Sequence, residues 1–191
     1  MTIMHWNIPN ILTWLRILMI PLFVGVFYCP EGDLPEHMRN LYATLIFALA
    51  AATDWLDGYL ARALNQTSSF GAFLDPVADK LMVAAALIVL VEFDRVGAVV
   101  ALIIIGREIA ISALREWMAG LGKRQSVAVA FLGKIKTASQ MVAILFLLYY
   151  QPVGAIDVKS IGSLLMYVAA FLTLLSMAYY LKAAWPQIRE K

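Results

Sequence analysis

Six apolar segments run along the chain, at 8–28, 40–63, 75–92, 96–117, 133–151 and 160–183. A helix needs about 20 residues to cross a bilayer, and the charge-free runs 137–156 and 160–181 reach this length. The charge-free core of the third segment, 81–91, has only 11 residues. That segment can cross only if its helix continues back through Asp79 and Asp75. The pattern predicts an all-α integral membrane protein with six transmembrane helices.

Composition agrees with this reading. The 191 residues are 62% hydrophobic and 15% charged, whereas soluble domains carry about 25% charged residues. The length suits one domain, 1–191. A net charge of +2 gives no basis for nucleic-acid binding, and the single cysteine, Cys29, excludes an intrachain disulfide.

Lysine and arginine predict the orientation, because cytoplasmic loops are enriched in both. The loop after the second segment begins at Arg62, and basic residues also occur in 118–132 and at the C-terminus. Among the charged residues of the loop 29–39, Glu31, Asp33 and Glu36 are acidic and one, Arg39, is basic. We therefore expect both termini to be cytoplasmic.

Four aspartates interrupt the second and third segments: Asp54, Asp57, Asp75 and Asp79. At about 1.5 Å per residue, Asp54 and Asp79 each lie roughly 20 Å from the outer end of their helix. Asp57 and Asp75 form a second level nearer the cytoplasm, and spacings of three and four keep each pair on one helix face. An antiparallel hairpin would bring all four together. Carboxylate oxygens are hard ligands that suit Mg²⁺ or Mn²⁺.

Small and basic residues surround the aspartates. Gly58 leaves room for a ligand to approach the backbone, although Gly58 and Ala61 would also allow close helix packing. Arg62 either faces a phosphate or extends to the interface. Gly71 opens the return into the third segment, and Pro76 is expected in the first turn of that helix, where proline is tolerated.

A second polar set is basic: Arg107, Arg115, Lys134 and Lys136. Arg107 lies roughly 16–17 Å into the fourth segment, with Glu108 beside it as a counter-ion. Interfacial anchoring is the alternative for these cations. Arginine suits bidentate phosphate contact, so the set predicts a binding site for a phosphorylated acceptor.

The pattern D-x2-D-G-x2-A-R-x8-G-x3-D-x3-D, from Asp54 to Asp79, resembles the signature of the CDP-alcohol phosphatidyltransferase family at every fixed position. The resemblance implies six transmembrane helices and transfer of a phosphatidyl group from CDP-diacylglycerol to an alcohol, with release of CMP. It also implies a divalent metal cofactor, either Mg²⁺ or Mn²⁺, with two ions bound.

The resemblance assigns roles to the motif. Asp54, Asp57 and Asp75 would ligate metal, and Asp79 would ligate a second ion or act as the catalytic base. The CDP site would be formed by Asp57, Gly58, Ala61, Arg62 and Gly71.

Further stretches, 7–16, 107–108, 112–116 and 133–137, resemble the bacterial branch of this family that uses sn-glycerol 3-phosphate. Asn10, Thr13 and Arg16 either border the lipid or acceptor site or cap and anchor the first helix. The branch implies a homodimer in the bacterial inner membrane, surrounded by membrane lipids, with its active site facing the cytoplasm. Inositol phosphate, serine and phosphatidylglycerol are alternative acceptors. A membrane cation transporter is the alternative outside this chemistry, since acids inside a membrane also mark ion paths.

Overall fold

A computed structural model describes residues 8–30, 32–63, 69–120 and 127–189 of the protein. These residues form six helices: α1 (Ile8–Phe27), α2 (Glu36–Ala63), α3 (Ser69–Glu92), α4 (Ala98–Gly120), α5 (Val127–Tyr149) and α6 (Val158–Arg189). Over this part of the chain no strand occurs, and the one extended pairing is an isolated bridge between Val153 and Ile156. The predicted all-α architecture is confirmed.

Helix α3 confirms the prediction made from the short charge-free run 81–91. It runs back from its apolar core through Asp79 and Asp75, as predicted, and begins earlier still, at Ser69. Pro76 is therefore the eighth residue of the helix, and the expectation that it lies in the first turn is wrong. The apolar pattern missed this start because residues ahead of Asp75 continue the helix without lengthening its charge-free run.

The helices differ in their suitability for crossing a bilayer. Among the described residues, Val158–Lys182 of α6 is the one stretch long and apolar enough by length and composition, with 25 residues. Ile11–Phe27 and Ile135–Tyr149 are shorter apolar helical stretches. The prediction of six crossings and cytoplasmic termini stays a prediction.

The chain divides into two compact units, 1–89 and 90–191. In the first unit, α1 packs against α2. Phe23 lies in the core, with its ring centroid 5.7 Å from that of Phe27 and 6.3 Å from that of Phe47. The buried Arg39 donates from Nη1 to the carbonyl of Phe27 at 3.4 Å, where a cation complements the C-terminal end of the α1 dipole.

In the second unit, α6 packs against both α4 and α5. Gly162 allows the close approach to α5, because a Cβ at this position would lie 3.0 Å from Cγ of Leu147. Arg95 donates from Nη1 to the carbonyls of Leu147 and Leu148, at 3.1 and 3.0 Å. Its guanidinium carbon lies 4.3 Å from the ring centroid of Tyr150. One buried arginine thus closes the end of α5.

Candidate active site

In the first unit, Arg16 of α1 contacts Asp54 of α2. Nη1 of Arg16 lies 2.9 Å from Oδ1 of Asp54. The arginine side chain is 1% exposed and the aspartate side chain 45% exposed. A buried guanidinium requires a counter-charge, and Asp54 supplies one to Arg16.

The second motif helix is tied to α1 in the same way. The hydroxyl of the buried Thr13 donates to Oδ1 of Asp75 in α3. Thr13 and Arg16 are three residues apart and lie on one face of α1. A single face of α1 therefore contacts aspartates from both α2 and α3.

The remaining motif residues are described to different degrees. Asp79 is half-buried on α3, and Gly71 is buried near the start of the same helix. The side-chain positions of Asp57, Gly58, Ala61 and Arg62 lie outside the described residues.

The carboxylates fit a divalent cation by their chemistry, because hard oxygen ligands suit Mg²⁺ or Mn²⁺. Among the side chains that are described, which omit Asp57, no three His, Cys, Asp or Glu residues form a group that could hold a metal. Convergence of all four aspartates remains a prediction.

In the second unit, two buried cations share one carboxylate. Arg107 of α4 is 9% exposed and Lys136 of α5 is 2% exposed. Oε1 of Glu108 accepts from Nζ of Lys136 and lies 3.3 Å from Nη1 of Arg107. The predicted burial of Arg107 and the predicted counter-ion role of Glu108 are confirmed. These three groups carry a net positive charge, which suits an anionic ligand.

Helix α6 completes the environment of Arg107. Nη2 of Arg107 donates to the hydroxyl of Ser176 at 2.9 Å. Its guanidinium carbon lies 5.6 Å from the ring centroid of Tyr180, within the usual range of a cation–π contact. Nε of Arg107 is buried without a hydrogen-bond partner among the described residues.

Comparison with known proteins identifies the family. The family model for CDP-alcohol phosphatidyltransferases matches residues 6–175. The chain belongs to this family. It is 52% identical over 183 residues, covering 95% of this chain and 96% of the relative, to the CDP-diacylglycerol–glycerol-3-phosphate 3-phosphatidyltransferase of Escherichia coli K12. The proteins of the same name from Shigella flexneri and Salmonella typhimurium are 52% and 51% identical, each over 95% of this chain and 96% of the relative.

Membership in the CDP-alcohol phosphatidyltransferase family makes the two polar clusters the natural places to look for its chemistry. The family is generally dependent on a divalent metal, and its signature residues fall in the first unit. Of the four predicted acceptor cations, Arg107 and Lys136 are brought together by Glu108. The side chains of Arg115 and Lys134 lie outside the described residues.

Sequence reasoning missed the contribution of α6 to this phosphatidyltransferase. Thr173, Ser176 and Tyr180 recur at intervals of three and four, so they lie on one helix face, and all three are buried. Hydroxyl groups in register on an otherwise apolar helix were the available signal. Oγ1 of Thr173 and Oε1 of Gln140 are also buried without a hydrogen-bond partner in the described part of the chain. Buried polar atoms without partners are rare and call for an explanation.

Proposed function

We propose that this protein transfers the phosphatidyl group from CDP-diacylglycerol to sn-glycerol 3-phosphate, forming phosphatidylglycerol phosphate and CMP. The observation that carries the proposal is 52% identity, over nearly the whole of both chains, to a relative named for that reaction. The buried Arg107 and Lys136 support a phosphorylated acceptor, because arginine and lysine side chains bind phosphate through charge-assisted hydrogen bonds.

The metal site would bind two divalent ions, either Mg²⁺ or Mn²⁺. Its ligands would be Asp54, Asp57, Asp75 and Asp79. When bound, the metal neutralises the pyrophosphate and stabilises the charge that develops during phosphoryl transfer. The chemistry of the donor set supports this assignment, because carboxylate oxygens are hard ligands that suit these ions. The CDP moiety would bind beside Asp57, Gly58, Ala61, Arg62 and Gly71.

The acceptor hydroxyl attacks the phosphorus of the phosphatidyl group. The new bond joins the acceptor oxygen to phosphorus, and the bond from phosphorus to the CMP oxygen breaks. Asp79 is the proposed base that takes the hydroxyl proton. Its place on α3, one turn beyond Asp75, supports this role. Asp79→Asn should abolish turnover while leaving CDP-diacylglycerol binding, and near-normal turnover in that variant would refute the assignment.

The acceptor phosphate would bind Arg107 and Lys136, joined by Arg115 and Lys134. Burial of the first two supports this assignment, because a water-excluding environment strengthens their attraction for an anion. Arg107→Ala should therefore raise the KM for glycerol 3-phosphate and leave the KM for CDP-diacylglycerol unchanged.

The protein would act as a homodimer of single-domain chains, 1–191, in the bacterial inner membrane. Six crossings, cytoplasmic termini and an active site facing the cytoplasm are proposed with it. The family match at 6–175 includes parts of both compact units, which supports a single functional domain.

The deciding experiment measures CMP release from CDP-diacylglycerol by the purified protein, with and without glycerol 3-phosphate and Mg²⁺. We expect CMP only when both are present. A panel of inositol phosphate, serine and phosphatidylglycerol tests the other acceptors. Release of CMP with one of these acceptors and none with glycerol 3-phosphate would refute the assignment of glycerol 3-phosphate as the acceptor. Absence of CMP release with every acceptor would refute the proposed enzymatic activity.

A further inference from the structure

The guanidinium of Arg107 is held from α6, a helix that carries none of the predicted site residues. Ser176 contacts one end of the guanidinium, and the ring of Tyr180 lies near its central carbon. Ser176 is 0% and Tyr180 7% exposed. Tyr180 also packs in a buried cluster with Ile111, one turn beyond Arg107 on α4. The ring is thus located by apolar contacts that do not depend on a ligand.

The direction of the hydrogen bonds around Ser176 is determined. Its hydroxyl donates to the carbonyl of Thr173 at 2.9 Å, which uses its one proton. The oxygen is left to accept, and it accepts from Nη2 of Arg107 at 2.9 Å. A guanidinium is planar, so this bond and the Glu108 contact at Nη1 restrict the orientation of the whole group.

One edge of the Arg107 guanidinium carries a buried donor that these contacts do not use. A guanidinium has five N–H donors, and the contacts with Ser176 and Glu108 occupy one N–H on each of Nη2 and Nη1. Nε is buried and without a partner among the described residues. Nε and Nη2 share one edge of the guanidinium, and an edge of this kind can bind two oxygens of one phosphate.

We propose that Ser176 and Tyr180 are positioning residues that hold the Arg107 guanidinium with its Nε edge turned to the phosphate of the acceptor. They act through Arg107 and do not touch the substrate themselves. This inference rests on the proposed function, because it assigns Arg107 to the acceptor phosphate.

The test is a kinetic comparison in mixed micelles, with the KM measured separately for glycerol 3-phosphate and CDP-diacylglycerol. Ser176→Ala should raise the KM for glycerol 3-phosphate about tenfold, because it removes a hydrogen bond to a charged group. Tyr180→Leu should raise it about two- to fivefold through loss of the cation–π contact. Both variants should keep the wild-type KM for CDP-diacylglycerol.

Conservative variants separate positioning from simple packing. Ser176→Thr keeps the accepting oxygen and Tyr180→Phe keeps the ring, so each variant should have a KM for glycerol 3-phosphate close to that of the wild type. Matched controls come from the same helix: Ser163→Ala removes a hydroxyl that is only half-buried, and Tyr179→Leu removes an exposed ring. Neither control should change either KM.

The outcomes distinguish the inference from the function beneath it. If Arg107→Ala raises the KM for glycerol 3-phosphate and Ser176→Ala does not, the positioning role is wrong and the acceptor assignment stands. If Arg107→Ala leaves that KM unchanged, the acceptor assignment fails and the inference fails with it. A parallel rise in both KM values in the Ser176 and Tyr180 variants would show a general structural role and would also overturn the proposal.

Discussion

Glu108 is the residue whose replacement tests the buried cation pair most directly. Glu108→Gln keeps the shape of the side chain and removes its charge, leaving the buried Arg107 and Lys136 without this counter-ion. Breaking a buried ion pair by removing one partner costs about 3–5 kcal/mol. Glu108 is 26% exposed, so water compensates part of the loss, and we expect a cost at or just below the lower end of this range, about 2–3 kcal/mol.

Thermal unfolding of the purified protein in detergent measures this cost. In a chain of this size, 1 kcal/mol corresponds to about 2–4 °C in Tm, so Glu108→Gln should lower the Tm by about 4–12 °C. Glu116→Gln is the matched control, because Glu116 is an exposed acid two turns further along the same helix. Surface changes of this kind stay within about 0.5 kcal/mol.

Addition of inorganic phosphate or glycerol 3-phosphate gives the second half of the test. An anion that binds the two cations replaces the missing charge, so the ligand should raise the Tm of Glu108→Gln more than that of the wild type. Equal Tm values for Glu108→Gln and Glu116→Gln would refute the claim that the cations depend on Glu108. Equal ligand shifts in the variant and the wild type would refute the claim that phosphate occupies the same place.

Three further changes test other parts of the fold by the same thermal measurement. Arg95→Met should lower the free energy of unfolding by about 2–3 kcal/mol, because it removes charged hydrogen bonds to two carbonyls at the end of α5. Arg95→Lys should recover part of this loss. An unchanged Tm in Arg95→Met would contradict the capping role. Gly162→Val should cost about 1–3 kcal/mol by overpacking, since even a Cβ there would lie 3.0 Å from an α5 side-chain atom. Gly106→Val is the control, because a Cβ at Gly106 would meet nothing within 4 Å. Equal effects of the two would count against close packing at Gly162. The Ser160 hydroxyl lowers the pKa of Asp157, so the ionised Asp157 stabilises the N-terminus of α6 at neutral pH, and this stabilisation is lost as the pH falls through the lowered pKa. Asp157→Asn should remove this pH dependence of the Tm. An identical pH profile of the Tm in the variant and the wild type would argue against the role of Asp157.

The six helices and the placement of the acids within them could be predicted because both depend on local pattern. The short apolar core of α3 forced the helix back through Asp79 and Asp75. Helical periodicity likewise predicts that Asp54 and Asp57 lie on one face of α2. The start of α3 was missed, together with the interior position of Pro76, because residues 69–74 lie outside the segment that the apolar pattern outlined.

Partners on distant helices could not be predicted from such patterns. Thr13 lies 62 positions from Asp75, and Arg107 lies 69 positions from Ser176. Whether two such residues meet depends on which helix faces pack together, and that is settled by the packing of all the side chains between them.

The amino-acid sequence by itself determined the family, the six helices of the described residues and the polar residues proposed for the site, because spacing along a helix is a local property. Only the tertiary structure decided that α1 contacts aspartates of both α2 and α3, and that α6 holds Arg107 through Ser176 and Tyr180. Burial is the physical reason. A charged or hydroxyl-bearing side chain removed from water must find its partner in whatever helix the fold brings beside it.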